Sequence, residues 1–165
     1  MRRWITGFHQ DEDGDWVAEL SCLHNQHMRH RPPFQERHWV LDEAERAARV
    51  GAELDCPLCD RAELPEGLRL ARTAGPFDAD TLPPALRKQH RVAESTWGRL
   101  RVDEGSVWFS LDGDPPLHLR VDAGHQQPIP PGMDHSLTVE GPVRLVVEFL
   151  VRDDTEAHAV RPESG

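Results

Sequence analysis

The chain has 165 residues, a formal net charge of -10 at pH 7 and 38% hydrophobic residues. This length fits one ordinary domain or two small ones. The sequence contains no run of about 18 apolar residues, so no membrane-spanning helix is predicted. The acidic balance disfavours nucleic acid as a partner, because phosphate-binding surfaces carry an excess of lysine and arginine. The first residues lack the apolar stretch of a signal peptide, and we therefore expect a cytoplasmic protein.

The N-terminal third predicts a small α+β unit. Its apolar residues indicate strands at 4–10 and 16–28, and the acidic segment 11–15 between them predicts a hairpin turn. A helix is predicted at about 43–50, because Asp42 is a suitable N-cap and a glutamate follows it at the capping-box position.

All three cysteines of the chain, Cys22, Cys56 and Cys59, lie in this region. An odd number of cysteines without a secretion signal argues against a disulfide framework. The pattern is C-x-H-x-x-H, followed after the predicted helix by C-x-x-C, a turn in which two thiolates meet one tetrahedral zinc. We therefore predict one zinc ion bound by the three cysteines and one histidine.

The histidine ligand is either His24 or His27. On a regular strand, His24 faces the same side as Cys22 and His27 faces the other side. A bulge or turn near Asn25 would let His27 replace His24. A thioredoxin-type redox pair is the alternative for the C-x-x-C, but its βαβ context is missing. A site closed by four ligands would be structural, whereas a catalytic site would keep one position open.

Residues 4–60 resemble a small bacterial domain family of uncharacterised function. The family pattern contains G-F-H-Q-D, then C-x-H-x-Q-H-x-R-H-x-P-P and a later C-x-x-C, and nearly all of it is present here. Leu23 departs from the pattern, because glycine is expected at that position. The resemblance implies a zinc-binding domain and carries no established activity.

From about residue 83 the pattern changes to short alternating runs separated by turn residues, which is typical of a β-sandwich or barrel. The predicted strands are 97–103, 106–111, 117–121, 135–140 and 143–151.

The predicted fold class is mainly β with one or two short helices: a small N-terminal α+β zinc domain fused to a C-terminal cupin-like antiparallel β-barrel. We divide the chain into a zinc-binding domain at 1–62, a linker at 63–82 with a short helix near its start, a barrel at 83–152 and a disordered tail at 153–165. The linker is rich in proline and glycine, and the tail is charged and lacks periodicity.

The sequence from Gly124 to His135 reads G-x5-P-x-G-x-x-H, which resembles the second cupin motif. Pro130 fixes φ and Gly132 permits a tight turn into the strand that begins at His135. Alternation places His135 on the same face as Leu137, so its imidazole points into the barrel. A lone inward histidine is more often a core residue than a ligand, but this spacing makes His135 a candidate for metal binding.

His90 and Glu148 are the other candidates for this pocket. The first cupin motif is degraded, so an oxygenase-type site with three histidines is not predicted. Glu148 lies in an otherwise apolar strand, and a buried carboxylate must be paired or coordinated. We predict that His90, His135 and Glu148 converge on one interior pocket able to hold a second divalent metal, with Trp97 or Trp108 near its wall. The alternative is that Glu148 pairs with a nearby arginine or faces solvent.

The C-terminal half also resembles the TehB-like cupin family, the small barrel that precedes a methyltransferase in some tellurite-resistance proteins. The shared positions are Leu82-Pro83, Arg87, His90, Thr96-Trp97-Gly98, Leu100, Val102, Glu104-Gly105, Ile129-Pro130-Pro131, His135 and Glu148-Phe149. The resemblance implies a conical barrel with an interior small-ligand or metal pocket. No G-x-G-x-x-G motif follows a strand, so tellurite methylation is not predicted.

Together these features predict a metal-binding cupin-like protein that binds a small molecule or an oxyanion, with a binding or sensing role in metal or oxyanion stress of the tellurite type. The alternative is a small metal-dependent cupin enzyme that acts on a small-molecule substrate. An adaptor that uses Arg29, Arg31 and Arg37 for nucleic acid or protein is disfavoured by the acidic charge. Association into a homodimer through the barrel is a further expectation.

Overall fold

A computed structural model describes residues 1–153 and divides the chain between Pro65 and Glu66 into two compact units. We call them unit 1 and unit 2. The predicted disordered tail lies, from residue 154 onward, outside the described residues. Among residues 1–153, no helix combines the length and apolar character that crossing a membrane requires.

Unit 1 is a four-stranded antiparallel sheet in the order β3-β2-β1-β4 with short helices around it. Its strands are β1 (Arg2–Gln10), β2 (Trp16–Leu20), β3 (Asn25–His27) and β4 (Glu53–Asp55). Its helices are a 3-10 turn (His38–Leu41), α1 (Glu43–Ala47) and α2 (Pro57–Asp60).

The predicted hairpin and helix of unit 1 are present, but the predicted strand at 16–28 is two strands. β1 and β2 are joined by a turn in which the backbone N–H of Asp11 donates to the carbonyl of Asp15 over 3.0 Å. Helix α1 begins after Asp42, whose carboxylate accepts a hydrogen bond from the backbone N–H of Glu45. The strand at 16–28 is interrupted by a tight turn after Leu20, which separates β2 from β3.

Leu23 lies in this turn with φ at 71°, in the left-handed region that favours glycine. The family expectation of glycine at this position therefore has a backbone cause. A left-handed conformation costs a leucine about 1–2 kcal/mol. Replacing Leu23 by glycine removes this strain, but glycine also gives the unfolded chain more conformational freedom, which offsets part of the gain in stability.

We expect Leu23→Gly to raise the free energy of unfolding of unit 1 by about 0.5–1 kcal/mol without changing its metal content. Chemical denaturation of the full chain measures the change. Asn25→Gly is the matched control: this exposed residue of β3 has no positive φ, so its replacement should lower stability. Equal destabilisation by both changes would contradict the backbone explanation.

Unit 2 is an antiparallel β structure in which the long strand β6 is central. Sheet neighbours follow the order β5-β10-β6-β7, and β8 and β9 also pair with β6. The strands are β5 (Leu68–Phe77), β6 (Trp97–Leu111), β7 (Leu117–Asp122), β8 (Gln126–Ile129), β9 (His135–Thr138) and β10 (Val143–Arg152), and the helix is α3 (Pro84–Arg87).

Strand β5 occupies half of the segment 63–82 that the sequence predicts to be a linker with a short helix. It pairs along its length with β10. Most of its side chains are exposed, so the segment lacks the alternating apolar pattern by which strands are recognised. Its strand conformation depends on pairing with a distant part of the chain, which local sequence does not reveal.

β6 bends at Gly105, and the bend decides which side chains face the core. Gly105 has φ at 73°, and a Cβ at this position would lie 2.1 Å from the carbonyl oxygen of Pro142, so other residues do not fit. Before the bend, Val102 packs in the core, and after it Val107 does. The inward positions thus change from even to odd numbers, and Trp108 lies on the outer face.

Candidate metal centre

Two tight turns of unit 1 bring its predicted zinc ligands together. Cys22 and His24 belong to the turn between β2 and β3, where the backbone N–H of Leu20 donates to the carbonyl of His24 over 2.9 Å. Cys56 is the N-cap residue of α2, and Cys59 lies within that helix. All four side chains are buried.

The ligand atoms of these four residues lie within 4.8 Å of one another. The Nδ1 atom of His24 is 3.5 Å from Sγ of Cys22, 3.4 Å from Sγ of Cys56 and 3.6 Å from Sγ of Cys59. The Sγ atoms of Cys22 and Cys56 are 3.8 Å apart. A tetrahedral zinc with sulfur at about 2.3 Å and nitrogen at about 2.0–2.1 Å separates two sulfurs by about 3.8 Å and sulfur from nitrogen by about 3.6 Å. The residues present therefore fit a zinc ion.

The crowding of these four groups couples their protonation. Hydrogen bonds with Cys22 and then Cys59 lower the pKa of the Cys56 thiol far below its usual value. Contacts with Cys22 and Cys56, together with burial, raise the pKa of the Cys59 thiol. Burial lowers the pKa of His24, but its hydrogen bonds to the Cys22 and Cys56 sulfurs outweigh this effect and raise it to about 9. A metal must displace the remaining protons, so acid should weaken its binding.

The structure places His24 in the cluster and leaves His27 outside it. His27 ends the short strand β3, is half exposed, and its Nδ1 lies 3.2 Å from a carboxylate oxygen of Asp11. The turn that brings His24 towards the cysteines lies before Asn25, so the bulge that would have turned His27 inward does not form.

In unit 2, His90 and His135 lie side by side. Their ring centroids are 4.0 Å apart, and their backbones exchange hydrogen bonds of 3.0 and 2.9 Å. The Nδ1 of His90 is 3.0 Å from the carbonyl of Lys88, and the Nδ1 of His135 is 3.0 Å from the carbonyl of Met133. Because a carbonyl only accepts hydrogen bonds, each Nδ1 carries the hydrogen and each neutral ring keeps a lone pair on Nε2.

Glu148, the third predicted member of this pocket, is held elsewhere by two arginines. Its carboxylate accepts hydrogen bonds from Arg99 over 2.6 Å and from Arg101 over 3.0 Å. Among residues 1–153, the structure brings three or more potential metal ligands together in one place, the group of four in unit 1. Glu148 and the two histidines of unit 2 do not form such a group. Glu148 thus pairs with nearby arginines, which was the alternative to metal binding that the sequence left open.

Buried His135 predicts a pH dependence for unit 2. Burial lowers the pKa of His135 from 6.5 to about 4, so the unfolded chain binds this proton more readily than the folded chain. The folded state of unit 2 therefore loses no stability through His135 above about pH 6.5, and it loses stability progressively as the pH falls from 6.5 towards 4. We expect about 2 kcal/mol of unfolding free energy to be lost between pH 7 and pH 5 through this residue.

Chemical denaturation of wild type and His135→Asn at both pH values measures this contribution. Asparagine keeps a donor for the Met133 carbonyl but does not titrate. The loss of stability on acidification should therefore be smaller in the variant. An identical loss in both proteins would contradict the assignment.

Trp108, one of the two tryptophans that the sequence led us to expect near the wall of the interior pocket, lies instead on the outer face of β6 and β7, together with Ser110 and His118. The indole of Trp108 and the imidazole of His118 are stacked, with centroids 4.9 Å apart and an interplanar angle of 2°. Ser110 Oγ is 2.8 Å from Nδ1 of His118. Alternation alone indicates that Trp108 and Ser110 face away from the core, but their meeting with His118 depends on a strand register that the sequence does not specify.

Comparison with protein families divides the chain in the same way. Residues 6–63 match the family described as "Protein of unknown function (DUF3565)". Residues 72–147 match the family described as "TehB-like domain". The two resemblances stated from the sequence are thereby confirmed. None of the curated proteins compared with this sequence matches it.

Solved structures resemble part of this chain at low sequence identity. A protein from E. coli (strain K12) is 19% identical with a TM-score of 0.51, over 55% of this chain and 97% of its own. TehB from Haemophilus influenzae is 16% identical with a TM-score of 0.49, over 61% of this chain and 37% of its own length. A cupin-2 domain protein from Shewanella frigidimarina is 15% identical with a TM-score of 0.33, over 49% of this chain and 66% of its own. The first shows the fold, and the predicted fold class, mainly β with a C-terminal cupin-like half, is confirmed.

Proposed function

We propose that unit 1 binds one structural zinc ion through Cys22, His24, Cys56 and Cys59. The observation that carries the proposal is the agreement of four donor separations, 3.4, 3.5, 3.6 and 3.8 Å, with those of a tetrahedral sulfur and nitrogen site. Four protein ligands fill a tetrahedral zinc, so this site holds a fold together and leaves no position for a substrate.

The position of the four ligands supports a structural role. They belong to two short elements that are far apart in the sequence, the turn between β2 and β3 and the four-residue helix α2. Cys22, Cys56 and Cys59 are part of the small buried core of unit 1. A zinc ion that joins the two elements contributes directly to the folding free energy of such a unit.

Elemental analysis of the full chain tests the proposal. We expect about one zinc per chain after purification in reducing buffer. His24→Ala should lose most of this zinc, because it removes one of four ligands. His27→Ala is the matched control and should keep it, because His27 contacts Asp11 outside the cluster. Loss of zinc from the His27 variant alone, or a zinc-free wild type that is fully folded, would overturn the proposal.

For the protein as a whole we propose a non-enzymatic binding or sensing role in metal or oxyanion stress in the cytoplasm. The role is supported by the match to the TehB-like domain and by the closed character of the proposed zinc site. Cysteines that serve as metal ligands rather than as a disulfide framework suit a reducing compartment. Isothermal titration of the full chain with tellurite, and with phosphate as comparison anion, tests ligand binding. Absence of heat from tellurite would argue against this role.

A small metal-dependent enzyme is the second candidate, and the His90–His135 pair is the observation that favours it. Two adjacent imidazoles with lone pairs on Nε2 offer two ligands for a second divalent metal. A second metal per chain that disappears in His135→Asn while the first remains would support this candidate. A metal content that stays at one after incubation with excess cobalt would exclude it.

A further inference from the structure

The outer face of unit 2 carries an ordered group of polar and aromatic side chains. On β6, Trp108 and Ser110 point away from the core. The strand registers place His118 of β7 and Ser136 of β9 on either side of Ser110. The register of β9 likewise places Thr138 beside Trp108. Five side chains from three strands thus share one surface.

Hydrogen bonds and ring stacking hold this group in place. The Trp108 indole lies parallel to the His118 imidazole, and its Nε1–H donates to Glu140 over 3.2 Å. Ser110 Oγ and His118 Nδ1 are 2.8 Å apart. None of these four residues belongs to the hydrophobic core cluster of unit 2. The arrangement is therefore pre-organised without being needed to fill the core, which is the condition for tight positioning of a ligand.

Two cavities open on this surface and share His118. One has a volume of about 270 Å³, and its polar lining residues are Gln89, Ser110, Asp112, His118, Asp134, His135 and Ser136. The other has a volume of about 340 Å³ and is lined by Trp108, His118, Thr138 and Glu140. We call the two together the outer groove. The larger cavity falls within the range of about 300–1,000 Å³ typical of small-molecule sites.

The charges of the outer groove disfavour an anionic ligand. Three carboxylates line it, those of Asp112, Asp134 and Glu140. Arg91 neutralises Asp134 through two hydrogen bonds of 2.6 and 2.8 Å. No lysine or arginine of the described chain lines either cavity. An oxyanion would therefore meet the carboxylates of Asp112 and Glu140 with no lysine or arginine in the lining to compensate them, which disfavours its binding in this groove.

We propose that the outer groove binds a neutral polyhydroxylated ligand, that is, a sugar. Serine and threonine hydroxyls, an imidazole and an amide both donate and accept hydrogen bonds, as the hydroxyls of a sugar require. The carboxylates of Asp112 and Glu140 accept from hydroxyl groups, and the indole of Trp108 offers an apolar surface for the C–H face of the ring. An organic cation would use the carboxylates and the indole but not the hydroxyls. This site is separate from the zinc site and goes beyond the proposed function.

Nuclear magnetic resonance of the full chain with ¹⁵N label tests the proposal. The chain has five tryptophans, and Trp108→Phe identifies the indole N–H signal of Trp108. Glucose, galactose and mannose are added separately up to millimolar concentrations. We expect at least one of them to shift the Trp108 signal in a saturable manner and to leave the signals of the other tryptophans unchanged.

Two variants separate binding from folding. Trp108→Leu and Glu140→Gln should each weaken sugar binding about fivefold or more, because each removes one contact of the ligand. For these variants binding is followed by the backbone amide signals of β7, which also report that unit 2 is folded. Trp4→Leu, which removes an exposed tryptophan of unit 1, is the matched control and should bind sugar as wild type does.

Tetramethylammonium and tellurite provide the competing arms. If tetramethylammonium alone shifts the Trp108 signal, the groove binds organic cations and not sugars. If tellurite alone shifts it, the groove binds an anion, which contradicts the inference drawn from its carboxylates. No shift by any of the three sugars would overturn the proposal. These outcomes are independent of the zinc content of unit 1, so failure here leaves the zinc proposal intact.

Discussion

Replacing Cys59 by serine should release zinc and unfold unit 1 while unit 2 remains folded. Cys59 is fully buried, and its Sγ lies 3.6 Å from Nδ1 of His24 at the centre of the cluster. Removing a group that only hydrogen-bonds to a zinc ligand lowers zinc affinity about 10–100-fold. Removing a ligand itself should therefore lower the affinity by more than about a hundredfold. Because zinc binding and folding are coupled, the lost affinity appears as lost stability of unit 1.

Amide hydrogen exchange resolves this effect by unit. We expect the amides of β1 and β2 to lose protection in Cys59→Ser, and those of β6 and β10 to keep it. Arg61→Ala changes an exposed residue directly after α2 and is the matched control. Retained protection in β1 and β2 after loss of zinc would show that the metal does not hold unit 1 together.

Removing both arginines that contact Glu148 should destabilise unit 2 strongly. The Glu148 side chain is 5% exposed, and Arg99 and Arg101 are its ion-pair partners. In Arg99→Met/Arg101→Met the carboxylate would be left buried without a cation, which should lower the free energy of unfolding by about 3 kcal/mol. Adding Glu148→Leu removes the unpaired charge and should restore most of this loss.

Chemical denaturation of the double and triple variants measures both steps. Arg120→Met is the control, because its ion pair with Asp122 is largely exposed and should contribute little. Metal content should be unchanged in all these proteins. A drop in metal content on replacing Glu148 would contradict the structural role of this ion pair and return Glu148 to the metal-binding candidates.

The cluster of three cysteines and one histidine could be predicted from sequence because its residue types and spacings are those of a metal site. Cys56 and Cys59 form a C-x-x-C turn whose geometry follows from its spacing. The choice between His24 and His27 could not be made, because it depends on where the chain turns between Leu20 and Asn25. Leu23 lies in this turn with a positive φ, a conformation that favours the glycine expected at this position.

Unit 2 shows where sequence patterns stop being informative. The apolar run of β10 was predicted as a strand, and β6 was predicted as two strands, 97–103 and 106–111, where the structure has one. β5 is mostly exposed, and its segment was predicted to be a linker. Glu148 was proposed as a metal candidate because it interrupts an apolar strand. Its pairing with Arg99 and Arg101 depends on the register between β10 and β6. Long-range register also brings His90 beside His135, and no local pattern encodes it.

X-ray absorption at the zinc edge of the full chain tests whether Cys22, His24, Cys56 and Cys59 hold one zinc ion. We expect one zinc per chain with three sulfurs at about 2.3 Å and one nitrogen at about 2.0–2.1 Å. His24→Ala should lose the nitrogen or the zinc. A folded chain without zinc, or a zinc surrounded by fewer than three sulfurs, would contradict the claim.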